Sequence, residues 1–228
     1  MMRKGSVLIF IIVILIGISG CVSRHKEPLV KEQVEKYMKD KYNEKFKVLE
    51  GTEGLDDSGE EIYVSSEKFP HARIMVKRDD KTGEMIDNYL EFLLKSKIQD
   101  VMNKIVSEVY PKSKVFYNTD GLPVEEATSQ MSAEEYLKFC TLTLTICVSD
   151  PDYIKNKEQK LEQLRLKFEE KQFKPMISVF YLVDGKLDSI NENELYERMT
   201  ESNWSKLRGD FGIGGSYKFR YSDWRELR

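Results

Sequence analysis

The sequence predicts an α+β fold, a mixed or antiparallel sheet packed against long amphipathic helices, preceded by a cleaved signal peptide. Three observations predict it. Short runs such as Ile62-Tyr63-Val64 and residues 141–148 alternate with the period of a strand. Two longer segments repeat apolar residues every three or four positions, the period of a helix. The two kinds of segment are interspersed without a strict βαβ rhythm, which favours α+β over a doubly wound parallel sheet. With 228 residues, 40% of them hydrophobic and 11% aromatic, the chain is long enough to bury a sizeable core.

The elements follow in order. Val30, Val34, Tyr37 and Met38 predict an amphipathic helix over 29–42. Phe46 and Val48 begin a strand, and 50–60 is an acidic loop bearing glycine. Residues 62–64 and 72–76 are strands, and Asp79-Asp80-Lys81-Thr82-Gly83 is turn chemistry. The strongest helix, 88–110, carries Leu90, Leu94, Ile98, Val101, Ile105 and Val109 on one face, with Lys95 and Lys104 on the outer side. It stops before Pro111, because the residue preceding a proline disfavours helix. A strand over 114–117 and a polar connection over 118–130 come next. Ser132-Ala133-Glu134-Glu135 has a capping-box start for a short helix over 132–139. The strand 141–148, a helix over 152–172 and the central strand 176–183 follow, the last apolar on both sides. A helix over 192–202 and a final strand over 217–221 complete the chain.

The first twenty residues differ from the rest. Arg3 and Lys4 give a basic start, residues 7–18 are apolar except for Gly17, and Ser19 and Gly20 are small. This is the plan of a secretory signal peptide. The apolar run is shorter than the roughly 20 residues that a spanning helix needs. Ile18-Ser19-Gly20-Cys21 resembles the lipobox of bacterial lipoproteins, with Ile in place of the commoner Leu. The resemblance implies cleavage between Gly20 and Cys21, an S-diacylglyceryl group on the Cys21 thiol, and the new α-amine of Cys21 as a further acylation point. Two or more acyl chains, at ~0.8 kcal/mol per buried CH₂, hold a protein stably at a membrane. The Lys-, Glu- and Ile-rich body resembles uncharacterised lipoproteins of low-GC Gram-positive bacteria. The expected organisation is a signal peptide over 1–20, a lipidated tether over 21–28 and an extracytoplasmic α+β domain over 29–228, with a subdomain boundary near 119–130. The expected location is the outer face of the cell membrane.

Composition excludes several functions. Lys and Arg number 36 against 39 Asp and Glu, a net charge of −3 that becomes −5 when Arg3 and Lys4 leave with the signal peptide. That balance carries no footprint for nucleic acid. Two histidines, His25 and His71, are too few for a His-rich metal site, and neither has a ligand at metal-site spacing. No metal and no cofactor is expected. Cys140 and Cys147 lie seven residues apart on opposite faces of a strand, a span of ~23 Å against the ~6 Å between the Cα atoms of a disulfide. They are expected to stay unbonded, with Cys140 on the apolar face and Cys147 on the Thr face.

The remaining motifs favour plain structural roles. Gly212-Ile213-Gly214-Gly215-Ser216 is followed by a strand rather than a helix, so it is a loop or hairpin entry and not a phosphate cradle. Arg208-Gly209-Asp210-Phe211 is expected to be a turn, not an adhesion motif. Asp56-Asp57, Glu60-Glu61 and Glu125-Glu126 match no Ca²⁺ loop. Trp204, Phe211, Tyr217, Phe219, Tyr221 and Trp224 interleave with Lys206, Arg208, Lys218, Arg220 and Arg225. They are expected to form a core-edge strand with snorkelling cations, a partner-binding surface being the second reading. No catalytic residue is identified. The expected function is a non-enzymatic, lipid-anchored module that binds an envelope protein, peptide or polymer. A transporter's substrate-binding lipoprotein and an envelope hydrolase are the alternatives.

Overall fold

Val34 and Met38, one helical turn apart, fix the first element in a computed structural model that describes residues 31–49, 61–79, 82–149, 152–192, 195 and 204–227. Both lie fully buried on α1 (Lys31–Tyr42), whose opposite side is charged. Beneath them β1 (Phe46–Val48), β2 (Glu61–Ser66), β3 (Ile74–Arg78) and β4 (Met85–Asp87) form an antiparallel sheet in that order. Alternation along β2 and β3 sends Ile62, Val64, Ile74 and Val76 into the core shared with α1. The turn from β3 to β4 is the one that its sequence predicts. The Asp79 carboxylate accepts from the Thr82 amide at 2.6 Å, and Gly83 takes the left-handed φ of 74°.

The long helix α2 (Tyr89–Ser107) buries Leu90, Leu94, Ile98, Met102, Ile105 and Val106, while Lys95 and Lys104 face solvent. It ends three residues earlier than the apolar pattern suggests, and Val109 and Tyr110 remain buried beyond it. The second sheet follows. It holds β5 (Ser113–Thr119), β6 (Leu142–Val148), β7 (Met176–Leu182), β8 (Ser205–Ile213) and β9 (Phe219–Glu226), in spatial order β5-β6-β7-β8-β9. Only β6 and β7 are parallel; the other neighbours are antiparallel. Their connection carries α4 (Asp152–Lys155) and α5 (Lys157–Lys171). The short helix α3 (Ala133–Tyr136) has the expected capping box: the Ser132 hydroxyl accepts from the Glu135 amide, and the Glu135 carboxylate accepts from the Ser132 amide at 2.8 Å. The molecule is α+β, with two sheets and helices packed on them.

One core follows the first sheet and α1, and a larger one lies between α2, α3, α5 and the second sheet. The first turns of α2 join the two, Tyr89 buried in the first, Leu90 in the second and Leu93 against both, while the connection over 120–130 links β5 to β6 inside a single sheet. Among the described residues no helix is long and apolar enough to cross a membrane.

Several expectations need correction. Arg208, Gly209, Asp210 and Phe211 are not a turn; they lie in β8, paired with β7 on one side and β9 on the other. Gly and Asp favour turns locally, but a Cβ on Gly209 would stand 2.4 Å from the Trp224 ring, so packing uses the bare backbone there. Gly212 and Ile213 likewise end β8, leaving Gly214 and Gly215 at the hairpin that Tyr217 closes at φ 56°. The last strand is Phe219–Glu226, later and longer than 217–221. The helix expected over 152–172 breaks at Asn156. β4 was not foreseen, its three residues showing no alternation of apolar and polar side chains. The expected loop 50–60 and the helix 192–202 lie wholly or largely outside the described residues.

Candidate functional site

The second sheet has two unlike faces, and the register decides which residues meet on each. Leu144, Ile146, Val148, Ile177, Val179, Tyr181, Leu207 and Phe211 point to the helices and are buried. The alternate residues point away. Part of that second face is sealed: Cys147, Phe180 and Leu182 are covered by Ile190, Leu195 and Trp204. The rest is open. Pairing aligns Asn118, Thr143, Met176, Gly212 and Tyr221 in one row across all five strands. Phe116, Thr145, Ser178, Asp210 and Asp223 make the next row.

The open rows are mostly short and polar. Thr143, Thr145 and Ser178 are half-buried, and Asn118 and Asp223 are exposed. Met176 and Tyr221 are among the few large apolar side chains that face solvent, 45% and 49% exposed. The Tyr221 ring occupies the space above Gly212, where a Cβ would meet it at 2.5 Å. The two acids of these rows are paired. The Asp210 carboxylate accepts from the Ser178 hydroxyl at 2.7 Å and pairs with Arg208 at 2.8 Å. Asp223 pairs with Arg225, and the Arg208 guanidinium also lies over the Phe180 ring at 5.2 Å. At the β5 end a hollow of about 280 Å³ is walled by Phe116, Asn118, Thr143, Thr145, Glu192 and Leu195.

Two buried polar clusters lie elsewhere. Asp87, at the end of β4, accepts four hydrogen bonds with no exposed side-chain surface. The donors are the Tyr37 hydroxyl at 2.7 Å, the Lys41 ammonium at 2.8 Å, the Tyr42 hydroxyl at 2.8 Å and the Tyr89 amide at 2.9 Å. Burial, and then the charge of Asp87, push both phenols far above their ordinary range, so they remain donors. The second cluster surrounds Glu91 in the first turn of α2. Burial raises its carboxyl above the usual range, the Asp120 charge adds to this, and the Thr119 hydroxyl opposes it. Its Oε2 atom and the Tyr136 hydroxyl are buried with no hydrogen-bond partner among the described residues. Burial and the Glu91 charge push the neighbouring Cys140 thiol up to about 12, which favours its protonated form.

The structure places the other singled-out residues as follows. Gly20, Cys21, His25, Asp56, Asp57 and Glu60 lie outside the described residues. His71 is exposed beside Pro70, and Glu125 and Glu126 are exposed. Cys140 and Cys147 form no disulfide; Cys147 is on the Thr face as expected, buried under the Phe180 cluster. Among the described residues no group of three His, Cys, Asp or Glu could hold a metal. The aromatic C-terminal segment does form an edge strand. Phe211 and Trp204 are buried, Trp224 and Phe219 pack against the core, and Tyr221 stands out on the open face.

The open face was not singled out from sequence, although the Thr alternation of β6 was its visible half. The other half, Ser178 opposite Asp210, needs the β7–β8 register, which no local pattern supplies.

No protein-family model matches the chain, and no curated protein matches it. Among solved structures the chain is similar to a DUF5037 family protein from Ruminococcus gnavus ATCC 29149, at 14% identity. The match covers 85% of this chain and 95% of that one, with a TM-score of 0.40.

Proposed function

We propose that this chain is a lipid-anchored, extracytoplasmic binding protein of the bacterial cell membrane, held through Cys21 and taking its ligand on the open face of the five-stranded sheet. The lipobox-like Ile18-Ser19-Gly20-Cys21 supports the anchor. The observation that carries the binding role is the asymmetry of the sheet. Helices seal one face, while the other presents an in-register row of hydroxyl, amide and aromatic side chains beside a hollow.

The test has two arms. Cells expressing wild-type chain should incorporate labelled palmitate, and Cys21→Ser should not, since only a thiol accepts the diacylglyceryl group. Equal labelling of both removes the anchor. The mature protein in detergent micelles should sediment with isolated cell envelopes, and Thr145→Arg, which plants a long cation in the middle of the row, should abolish this. Sedimentation unchanged by Thr145→Arg removes the assigned face.

A further inference from the structure

The same face also indicates what kind of ligand it takes, an inference that rests on the binding role above. We infer that the open face binds an uncharged linear glycan lying across the strands, perpendicular to their direction.

Three features carry this. The first is spacing. Neighbouring strands stand ~4.8 Å apart, so the row Asn118, Thr143, Met176, Gly212, Tyr221 and the row beside it offer a side chain at that interval. That interval is close to the advance of one pyranose ring along an extended β-1,4-linked chain, which would put successive rings over successive strands.

The second is hydrogen-bond chemistry. Backbone groups of the inner strands β6, β7 and β8 are engaged on both sides in the ladder. An extended peptide binds a sheet through unpaired backbone at an edge, which lies at right angles to this face. Here only side chains are offered: Thr143, Thr145 and Asn118 can each both donate and accept, and Ser178, whose proton goes to Asp210, can still accept. A ligand bearing hydroxyls on every ring matches that supply. The acids of the two rows are paired, Asp210 with Arg208 and Asp223 with Arg225, the nearby Lys114 ammonium is spent on the Asp188 and Ile190 carbonyls, and Glu192 on the wall of the hollow disfavours an anionic polymer.

The third is the seat for a ring. Tyr221 occupies the space that the missing side chain of Gly212 leaves, and about half of its surface stays in solvent. A phenol held in that way presents a flat apolar surface to the C–H face of a sugar. At the other end of the rows, Phe116 and the hollow beside Asn118 and Thr143 would take a terminal ring.

The experiment is isothermal titration of the mature protein in micelles with two probes, the hexamers of β-1,4-linked N-acetylglucosamine and of β-1,4-linked glucose. At least one should bind saturably and far more tightly than its monomer, with an affinity insensitive to added salt. Tyr221→Ala should weaken it about five-fold or more, and Thr145→Arg should abolish it. Both variants should melt with the wild type, because each side chain is at least partly exposed. Absence of binding to both hexamers, or binding unaltered by Tyr221→Ala, overturns the inference. If envelope sedimentation is still lost in Thr145→Arg while both hexamers fail, the binding role stands and the glycan alone falls.

Discussion

Replacing Asp87 by alanine removes one acceptor from four donors at once. The Tyr37 and Tyr42 hydroxyls, the Lys41 ammonium and the Tyr89 amide all point at a carboxylate with no exposed surface. Removing one partner of a buried ion pair typically costs ~3–5 kcal/mol. Lys41 keeps 19% exposure and can turn towards water, which pulls the cost towards the lower end. The phenols are half-buried and the Tyr89 amide is fully enclosed, and each orphaned group adds ~1 kcal/mol or more. A net loss of about 4 kcal/mol follows. At ~2–4 °C per kcal/mol for a domain of this size, the melting temperature should fall by about 8–16 °C. The assay is a thermal melt followed by far-ultraviolet circular dichroism and tryptophan fluorescence together. Of the two tryptophans, Trp224 lies in β9 and Trp204 packs against Cys147, Phe180 and Leu182 of the same sheet, so fluorescence reports that half alone. Dichroism should begin to fall before the fluorescence does, because α1 is released first. Asp40→Ala, which breaks an exposed pair with Lys36, should change little and serves as the control. A melting temperature for Asp87→Ala within 3 °C of wild type would refute the reasoning, as ~1 kcal/mol is all that such a shift allows.

Ile98→Ala and Ile105→Ala should each cost ~2–5 kcal/mol in denaturant titration, whereas Lys95→Ala and Lys104→Ala should stay close to wild type; four similar midpoints would mean that α2 is not packed on this face. Glu91→Gln should stabilise the protein at pH 7.5. The folded carboxyl titrates above its unfolded counterpart, so its penalty is absent below the unfolded pKa and grows as pH rises through the folded one; melts from pH 4 to 8 should show the variant pulling ahead, and equal or lower stability at pH 7.5 would exclude this. Cys140 and Cys147, both pushed up to about 12 chiefly by burial, should resist alkylation at pH 8 in the native protein and take two labels once denatured; a two-dalton deficit would reveal a disulfide instead.

What the sequence disclosed, it disclosed through periodicity and local motifs. The stripe from Leu90 to Val106, the capping box at Ser132 and the turn at Asp79 are each written within a few residues, and each stands in the structure. β8 is the opposite case. Arg208-Gly209-Asp210 has the local chemistry of a turn, and it becomes a strand because β7 and β9 claim its backbone while Trp224 fills the place of a side chain at Gly209. Short β4 shows no alternation of apolar and polar residues, unlike the equally short β1, where Phe46 and Val48 flank Lys47. The open face was half legible. Thr143 and Thr145 announced a polar side to β6, but the strand over 176–183 reads as apolar on both sides, and only its register sets Ser178 against Asp210.

The parallel pairing of β6 with β7 has a consequence for how the chain is made. A strand that pairs in parallel cannot form as a local hairpin; it must wait for the α4–α5 crossover to bring it back. Its other edge waits longer still, until residues 205–226 arrive to supply β8 and β9. Through that interval Met176-Ile177-Ser178-Val179-Phe180-Tyr181-Leu182 is an uncharged, proline-free, β-prone segment with an open edge, the profile of an aggregation seed. A product of interrupted synthesis that stops before residue 205 would carry that edge permanently. Such fragments should be found in insoluble deposits or be degraded, while chains that include the C-terminal hairpin remain dispersed.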